Sequence, residues 1–286
     1  MMKRVFKLQV AVLLLFGSFT VQAQESNYAF DVFEDTRIVN GHSVETSREG
    51  QMKFIIAHRF GRISDGLSEF FGFDQSTIRL GLDYGVTDWL NIGVGRSSFE
   101  KTVDGFLKVR LLRQKKGEQS FPFSVVFYTD AAINTTKFAD ETRENYFSSR
   151  LSYAHQLLIA RKLSDRLSLQ LAPSVVHRNL VATKAESHDV FAVGIAPQYR
   201  LTKTISMSAE YYHVLPDQLA SEFNNSLAVG FNIHTNGHVF QLHFGNSLGM
   251  IEKFFITETR DSWEKGEIHF GFNITRDFQI KGRKHH

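Results

Sequence analysis

The sequence predicts an all-β fold, a single antiparallel up-and-down transmembrane β-barrel of about twelve strands, from three features. Apolar and polar residues alternate with period two in run after run, and short and long polar connections take turns between the runs. Beyond the N-terminal leader, no apolar stretch has the length a membrane-crossing helix needs, about 20 residues. If the chain enters a membrane it must therefore do so as a closed barrel, because open sheet edges find no hydrogen-bond partners in hydrocarbon.

At 286 residues, with four prolines and no low-complexity tract, the chain fits one large all-β domain. It has no cysteine, so stability rests on strand pairing rather than disulfides, and the acylated cysteine of a lipoprotein is missing. A formal net charge of +3 is too mild to imply a nucleic-acid partner.

Residues 1–23 have the form of a secretory leader: Lys3, Arg4 and Lys7 precede the apolar run 10–16, and small or polar residues end at Val21, Gln22 and Ala23. Cleavage after Ala23 is expected. Residues 24–49 have weak periodicity and mixed charge. The stretch 36–41 could form one short strand, but an extra strand would make the total odd, so a periplasmic lead-in or a segment folded into the lumen is favoured. Residues 50–280 form the barrel, and 281–286 a basic, solvated tail.

The strands then follow in order. Residues 51–60 open with a less clean alternation, and a long connection at 61–75 carries the aromatic pair Phe70 and Phe71. In the next run Ile78, Leu80, Leu82 and Tyr84 oppose Arg79, Gly81 and Asp83; after a tight turn from Gly85, Leu90, Ile92 and Val94 oppose Asn91, Gly93 and Gly95. Leu107, Val109 and Leu111 oppose Lys108 and Arg110, and Phe123, Val125 and Phe127 share one face of the run 121–132. The run 146–160 sets Leu151, Tyr153, His155 and Leu157 against Arg150, Ser152, Ala154 and Gln156. Runs beginning at Leu167 and Phe191 flank a loop at 179–187, and Pro197 is tolerable near a strand end, just ahead of a turn. Ile205 to Tyr212 and the pair 227–233 and 239–244 follow, the latter joined through Asn236-Gly237, a strong hairpin signal. A long loop at 247–265 precedes the last strand, 267–275. An even count puts both barrel ends on the side of the short turns, the periplasm.

Charge on every second residue suits a wet lumen, with the apolar rows facing lipid. The residues assigned inward by parity are Lys53, Arg59, Arg79, Lys108, Arg110, Arg150 and Arg200, against Asp83, Glu210 and Glu267. Positive charges predominate, so a narrow lumen would favour small anionic solutes. A barrel of this size is roughly 24 Å across between backbones, and inward arginines could close it. Closure is favoured over conduction, since wide channels belong to larger barrels.

Other chemistry is weak. His155 stands on a lipid-facing row, where a lipid hydrolase of the membrane plane would place its base. The position two residues on is Leu157, and no His-x-Ser occurs in the chain, so the nucleophile is missing. The other histidines are scattered without metal-ligand spacing, and Gly93-Val94-Gly95 has no helix behind it to receive phosphate. No catalytic, cofactor-binding or metal residues are assigned.

Three pieces carry a family resemblance: His58-Arg59-Phe60-Gly61, Ile78-Arg79-Leu80-Gly81-Leu82-Asp83-Tyr84-Gly85, and Gly93-Val94-Gly95-Arg96-Ser97-Ser98 continuing through Lys101, Gly105 and Lys108. With these the chain resembles a family of Gram-negative outer-membrane β-barrel proteins catalogued only as a domain of unknown function. The resemblance implies the outer membrane, its lipid as partner, and the fold; it implies no catalytic residues. The expectation is a non-enzymatic outer-membrane barrel, either a narrow anion-leaning pore or a closed structural or docking barrel. The alternatives are the lipid hydrolase and a soluble periplasmic barrel binding a hydrophobic ligand, which needs the opposite facing.

Overall fold

In the computed structural model twelve strands close into one ring in which every strand pairs antiparallel with its sequence neighbours and β1 pairs with β12. The structure describes residues 28–29, 31–117, 120–138, 141–142, 144–184 and 186–280; the leader and the 281–286 tail lie outside the described residues. The strands are β1 (Gln51–Arg62), β2 (Ser76–Gly85), β3 (Leu90–Ser97), β4 (Val103–Leu112), β5 (Ser124–Ile133) and β6 (Leu151–Lys162). They continue with β7 (Leu167–Arg178), β8 (Asp189–Arg200), β9 (Ile205–Val214), β10 (Ser226–Thr235), β11 (His238–Gly245) and β12 (His269–Gln279). Among the described residues no helix is long and apolar enough to cross a membrane, so any crossing is by strands.

The alternation fixes the facing. Leu80 and Ile195 are 44% and 41% exposed on the outer wall, whereas Arg79 and Asp83, their near neighbours in sequence, are 2% and 1% exposed inside. A soluble barrel would need the reverse, and that alternative falls on this geometry. Turns of two to four residues join β2 to β3, β6 to β7, β8 to β9 and β10 to β11 at the end that also holds both barrel termini. At Asn236-Gly237 the strands pair right up to Thr235 and His238, with Gly237 at φ 89°. Pro173 and Pro197 sit where the ladder toward one neighbour skips a rung, so neither removes a needed donor.

Three strands start later than expected. β5 begins at Ser124, because Phe121 bridges back to Lys115 of the preceding loop; β6 begins at Leu151, because residues 147–150 form one 3-10 turn; and β12 begins at His269, after a loop that turns at Gly266 with φ 72°.

The interior is filled, and only partly polar. Residues 31–49 enter from the short-turn end and are mostly buried, and a six-residue helix, α1 (Glu252–Thr257), dips in from the β11–β12 loop at the other end. Toward β5–β8 the wall turns in small or apolar side chains, among them Val126, Ala154, Leu158, Ala172 and Val176. These pack with Phe33, Ile38 and Val44 of the inner segment and Phe255 and Ile256 of α1. Each large apolar side chain so buried contributes about 1.5–3 kcal/mol. The remaining wall, from β9 round to β4, is more polar, apart from Phe106 and Tyr212, and meets the inner segment largely through hydrogen bonds.

Candidate functional site

The residues with functional potential line the interface between barrel wall and inner segment. Residues 31–49 form no strand ladder with the barrel, so their backbone groups need side-chain partners. The wall supplies them: Gln170 Nε2 donates to the His42 carbonyl at 2.8 Å, Gln241 Nε2 to Ile38 at 3.0 Å, and Asn273 Nδ2 to Val39 at 2.8 Å. The Glu210 carboxylate accepts three successive backbone N–H groups, from Val39 (3.2 Å), Asn40 (2.8 Å) and Gly41 (3.1 Å). One acid thereby caps a whole turn of the segment.

The inward cations are engaged in the same way. Lys53 Nζ lies 2.5 Å from Asp35 Oδ1 and 3.2 Å from Asp277 Oδ1, and Thr275 donates to Asp35 at 2.8 Å. Burial pushes the Asp35 carboxyl up, but Lys53 and Thr275 outweigh it and hold it below the ordinary carboxylate range. Arg59 donates to Asn40 Oδ1 at 2.8 Å and to Asn273 Oδ1 at 2.9 Å. Lys108 donates to the Glu45 carbonyl, Arg110 to Thr46 Oγ1, and Arg200 Nε sits 3.2 Å from Glu34. Arg79 pairs instead within the wall, with Asp104 (Nε to Oδ1, 2.9 Å), while Asp83 lies 3.9 Å from Arg37 of the segment. Burial, reinforced by Arg37, Lys108 and Arg79, keeps His42 well below its usual range, so the neutral ring accepts from Arg37.

The outer end is sealed by different chemistry. Tyr128 OH is 3.0 Å from both Asp130 Oδ2 of its own strand and Glu252 Oε2 of α1, and the Phe255 and Tyr212 rings are 4.9 Å apart. Lys253 Nζ reaches Glu100 at 3.0 Å and Glu258 at 3.1 Å. Asp261 ties the loop to the rim through Arg62 (2.5 Å) and His269 Nε2 (2.7 Å). Cavities remain at the two ends, about 650 Å³ beneath the inner segment and about 340 Å³ among the outer loops, and they share no lining residue.

Two residues assigned inward by parity are elsewhere. Arg150 belongs to the 3-10 turn ahead of β6, donates to the carbonyls of Asn134 (2.9 Å) and Thr136, and lies 3.8 Å over the Phe138 ring. Glu267 precedes β12, where it accepts from the Ser262 backbone at 3.0 Å and faces Arg62. Period two extrapolates only within a strand, and both positions lie outside one. The other eight, Lys53, Arg59, Arg79, Asp83, Lys108, Arg110, Arg200 and Glu210, are turned to the interior. Asp104, Asp130 and Arg178 share that facing and have the same parity signal as their strands, which stretch farther than the clean alternation suggests. The residues that meet the wall from inside, Glu34 at Arg200, Asp35 at Lys53, Arg37 at Asp83 and Glu252 at Tyr128, carry no periodic signal at all.

His155, on the outer wall, is 2.8 Å from Thr129 Oγ1 of the neighbouring strand and stacks near Phe127. The hydroxyl satisfies a polar ring that would otherwise be unpaired in an apolar surrounding.

A closed barrel, apolar without and polar within, defines the β-barrel class of membrane protein. The chain belongs to the family described as the membrane bound beta barrel domain, whose model matches residues 33–278. That match starts inside the inner segment. Among solved structures, the NanC porin is similar at 8% identity and TM-score 0.49, covering 81% of this chain and 100% of its own. The KdgM porin aligns at 9% identity and TM-score 0.47, over 80% and 99%. An outer membrane protein of Acinetobacter baumannii aligns at 8% and 0.44, over 80% and 99%. No curated protein matches the chain in sequence.

Proposed function

We propose that the protein is a non-enzymatic outer-membrane barrel that is closed at rest, a structural or docking barrel rather than an open anion-leaning pore. The observation that carries this reading is the occupation of the inward cations: Lys53, Arg59, Lys108, Arg110 and Arg200 each bond to residues 34–46 of the inner segment. A small anion entering the lumen would have to displace those partners, and α1 blocks the second entrance. Acids stand against several of the inward cations: Asp35 and Asp277 against Lys53, Glu34 against Arg200, and Asp104 against Arg79. An enzymatic reading has little support, since among the described residues His155 bonds to a threonine and to no acid or amide that would orient it.

Planar-bilayer recording tests the proposal. The expected outcome is no step conductance above leak from the purified, refolded chain. Stable, anion-selective steps that shrink in Lys108→Gln or Arg110→Gln would establish the pore reading instead.

A further inference from the structure

The β1–β2 connection does not rise away from the barrel. Gly72, at φ 87°, packs so tightly on Gly61 that an added Cβ would stand 2.5 Å from the Gly61 carbonyl group, and Gly61 N–H donates to Gln75 O at 3.0 Å. The loop is thereby folded back over the rim. Its Phe73 ring lies 4.7 Å from Phe60 of β1 and 6.2 Å from Phe270 of β12, both on the outer wall, and Phe70 follows at 5.7 Å from Phe73. Phe244 of β11 extends the same array at 5.5 Å from Phe270.

The tip of this loop is apolar and bare. Leu67 is 79% and Phe70 60% exposed, with Phe71 and Phe73 also uncovered. Phe70 and Phe71 both occupy the left-handed region, φ 46° and 54°, where side chains other than glycine's are strained. The turn is held there by bonds from Phe73 N to Phe70 O and from Gln75 N to Gly72 O. Strain is being used to hold large apolar side chains away from the protein. A run of apolar surface this concentrated marks an interaction site.

We infer that residues 63–73 are a membrane-seated foot whose Leu67, Phe70 and Phe71 insert into the outer interface of the bilayer beside β1 and β12. The occupant is lipid because the patch is continuous, ring against ring, with the lipid-facing wall of the barrel. Asp65 and Glu69 on the same segment, with Asp74 just after it, set its depth, since carboxylates stay at the headgroup level while an interfacial apolar face sinks roughly 5–10 Å. The foot widens the apolar belt on one side of the barrel, at the seam where the first and last strands meet.

The absence of cysteine in the chain allows a clean test. Phe70→Cys is spin-labelled and the protein reconstituted in phosphatidylcholine vesicles. Accessibility of the label to oxygen, which concentrates in lipid, is compared with that to a water-soluble nickel chelate. Val94→Cys on the outer wall and Lys137→Cys in a polar loop serve as references. The oxygen-to-nickel ratio at position 70 is expected to exceed that at position 137 by about fivefold or more, as insertion at the acyl boundary requires. A ratio equal to that of the loop reference overturns the inference, because the tip would then be in water. Poor access for both reagents with spin–spin broadening also overturns it, since a second copy of the chain would be the occupant. Phe71→Cys, read in the same way, replaces the first variant should that one fail to refold.

Discussion

Lys53 is buried in the barrel wall, and two carboxylates, Asp35 and Asp277, stand in for much of its lost hydration. Such a pair adds little over an apolar replacement, but breaking it leaves a buried charge alone, at a cost of about 3–5 kcal/mol. Asp35→Ala is expected to lower stability at the lower end of that range, because Asp277 remains; urea unfolding in detergent measures it. Adding Lys53→Met should restore more than half of the loss, and an additive double variant would show that the two groups are not coupled. Gly95 serves the neighbouring pair: a Cβ there would stand 2.2 Å from Arg79 Nη2. Gly95→Ala is expected to displace the guanidinium from Asp104 and cost about 1–3 kcal/mol by overpacking, by the same assay. The inward arginine and the glycine beside it were legible in the sequence as a period-two row. What each cation bonds to was not, because Asp35 and Asn40 come from a segment with no repeat to set their facing.

Two elements close the barrel, and carboxylates help to hold both. The inner segment is held by Glu34, Asp35 and Glu210 as well as by neutral amides, while the outer loop is tied to the rim by the carboxylate of Asp261 between Arg62 and His269. Burial raises that carboxyl, but His269 and Arg62 outweigh it and leave it below the ordinary value of 3.8. A depressed carboxylate stabilises fully above its unfolded value, and that stabilisation is lost as pH falls through the folded value. Amide exchange in residues 246–268 is therefore expected to rise below about pH 4, and Asp261→Asn should show the fast exchange at neutral pH already. Glu252 on α1 has the opposite sign. Burial leads its upward shift, against the pull of Arg37 and its hydrogen bonds, and its Oε1 lacks a partner. Glu252→Gln is expected to stabilise α1 by about 1 kcal/mol at pH 7, the scale of one unsatisfied buried group relieved; equal or lower unfolding midpoints in urea would refute it. Sequence periodicity could not reveal α1, since a six-residue helix inside a 23-residue loop has too few turns to leave an amphipathic trace.

On the scale of the whole molecule, the strand alternation builds a container, and the non-periodic stretches fill it. The ring, its closure and its facing all follow from side-chain parity, because one slipped residue would turn an entire apolar row inward. The two fillers form seals in series, one from each end, so removing either leaves the other across the lumen. Deleting residues 28–49 alone is expected to give at most brief, small conductance events in planar bilayers. Deleting them and replacing 250–259 with a short Gly-Ser link is expected to open long-lived steps. With Glu34, Asp35 and Glu45 gone, the wall presents Lys108, Arg110 and Arg200 without their segment partners, beside Lys53 and Arg59, which keep Asp277 and Asn273, and such a tube focuses positive potential. The reversal potential in a salt gradient should then report anion preference, moving toward zero in Lys108→Gln with Arg110→Gln. A doubly deleted barrel that folds but stays silent would overturn the series arrangement, since the β5–β8 apolar side chains have by then lost their partners in both fillers and only the wall's own side chains could close the lumen.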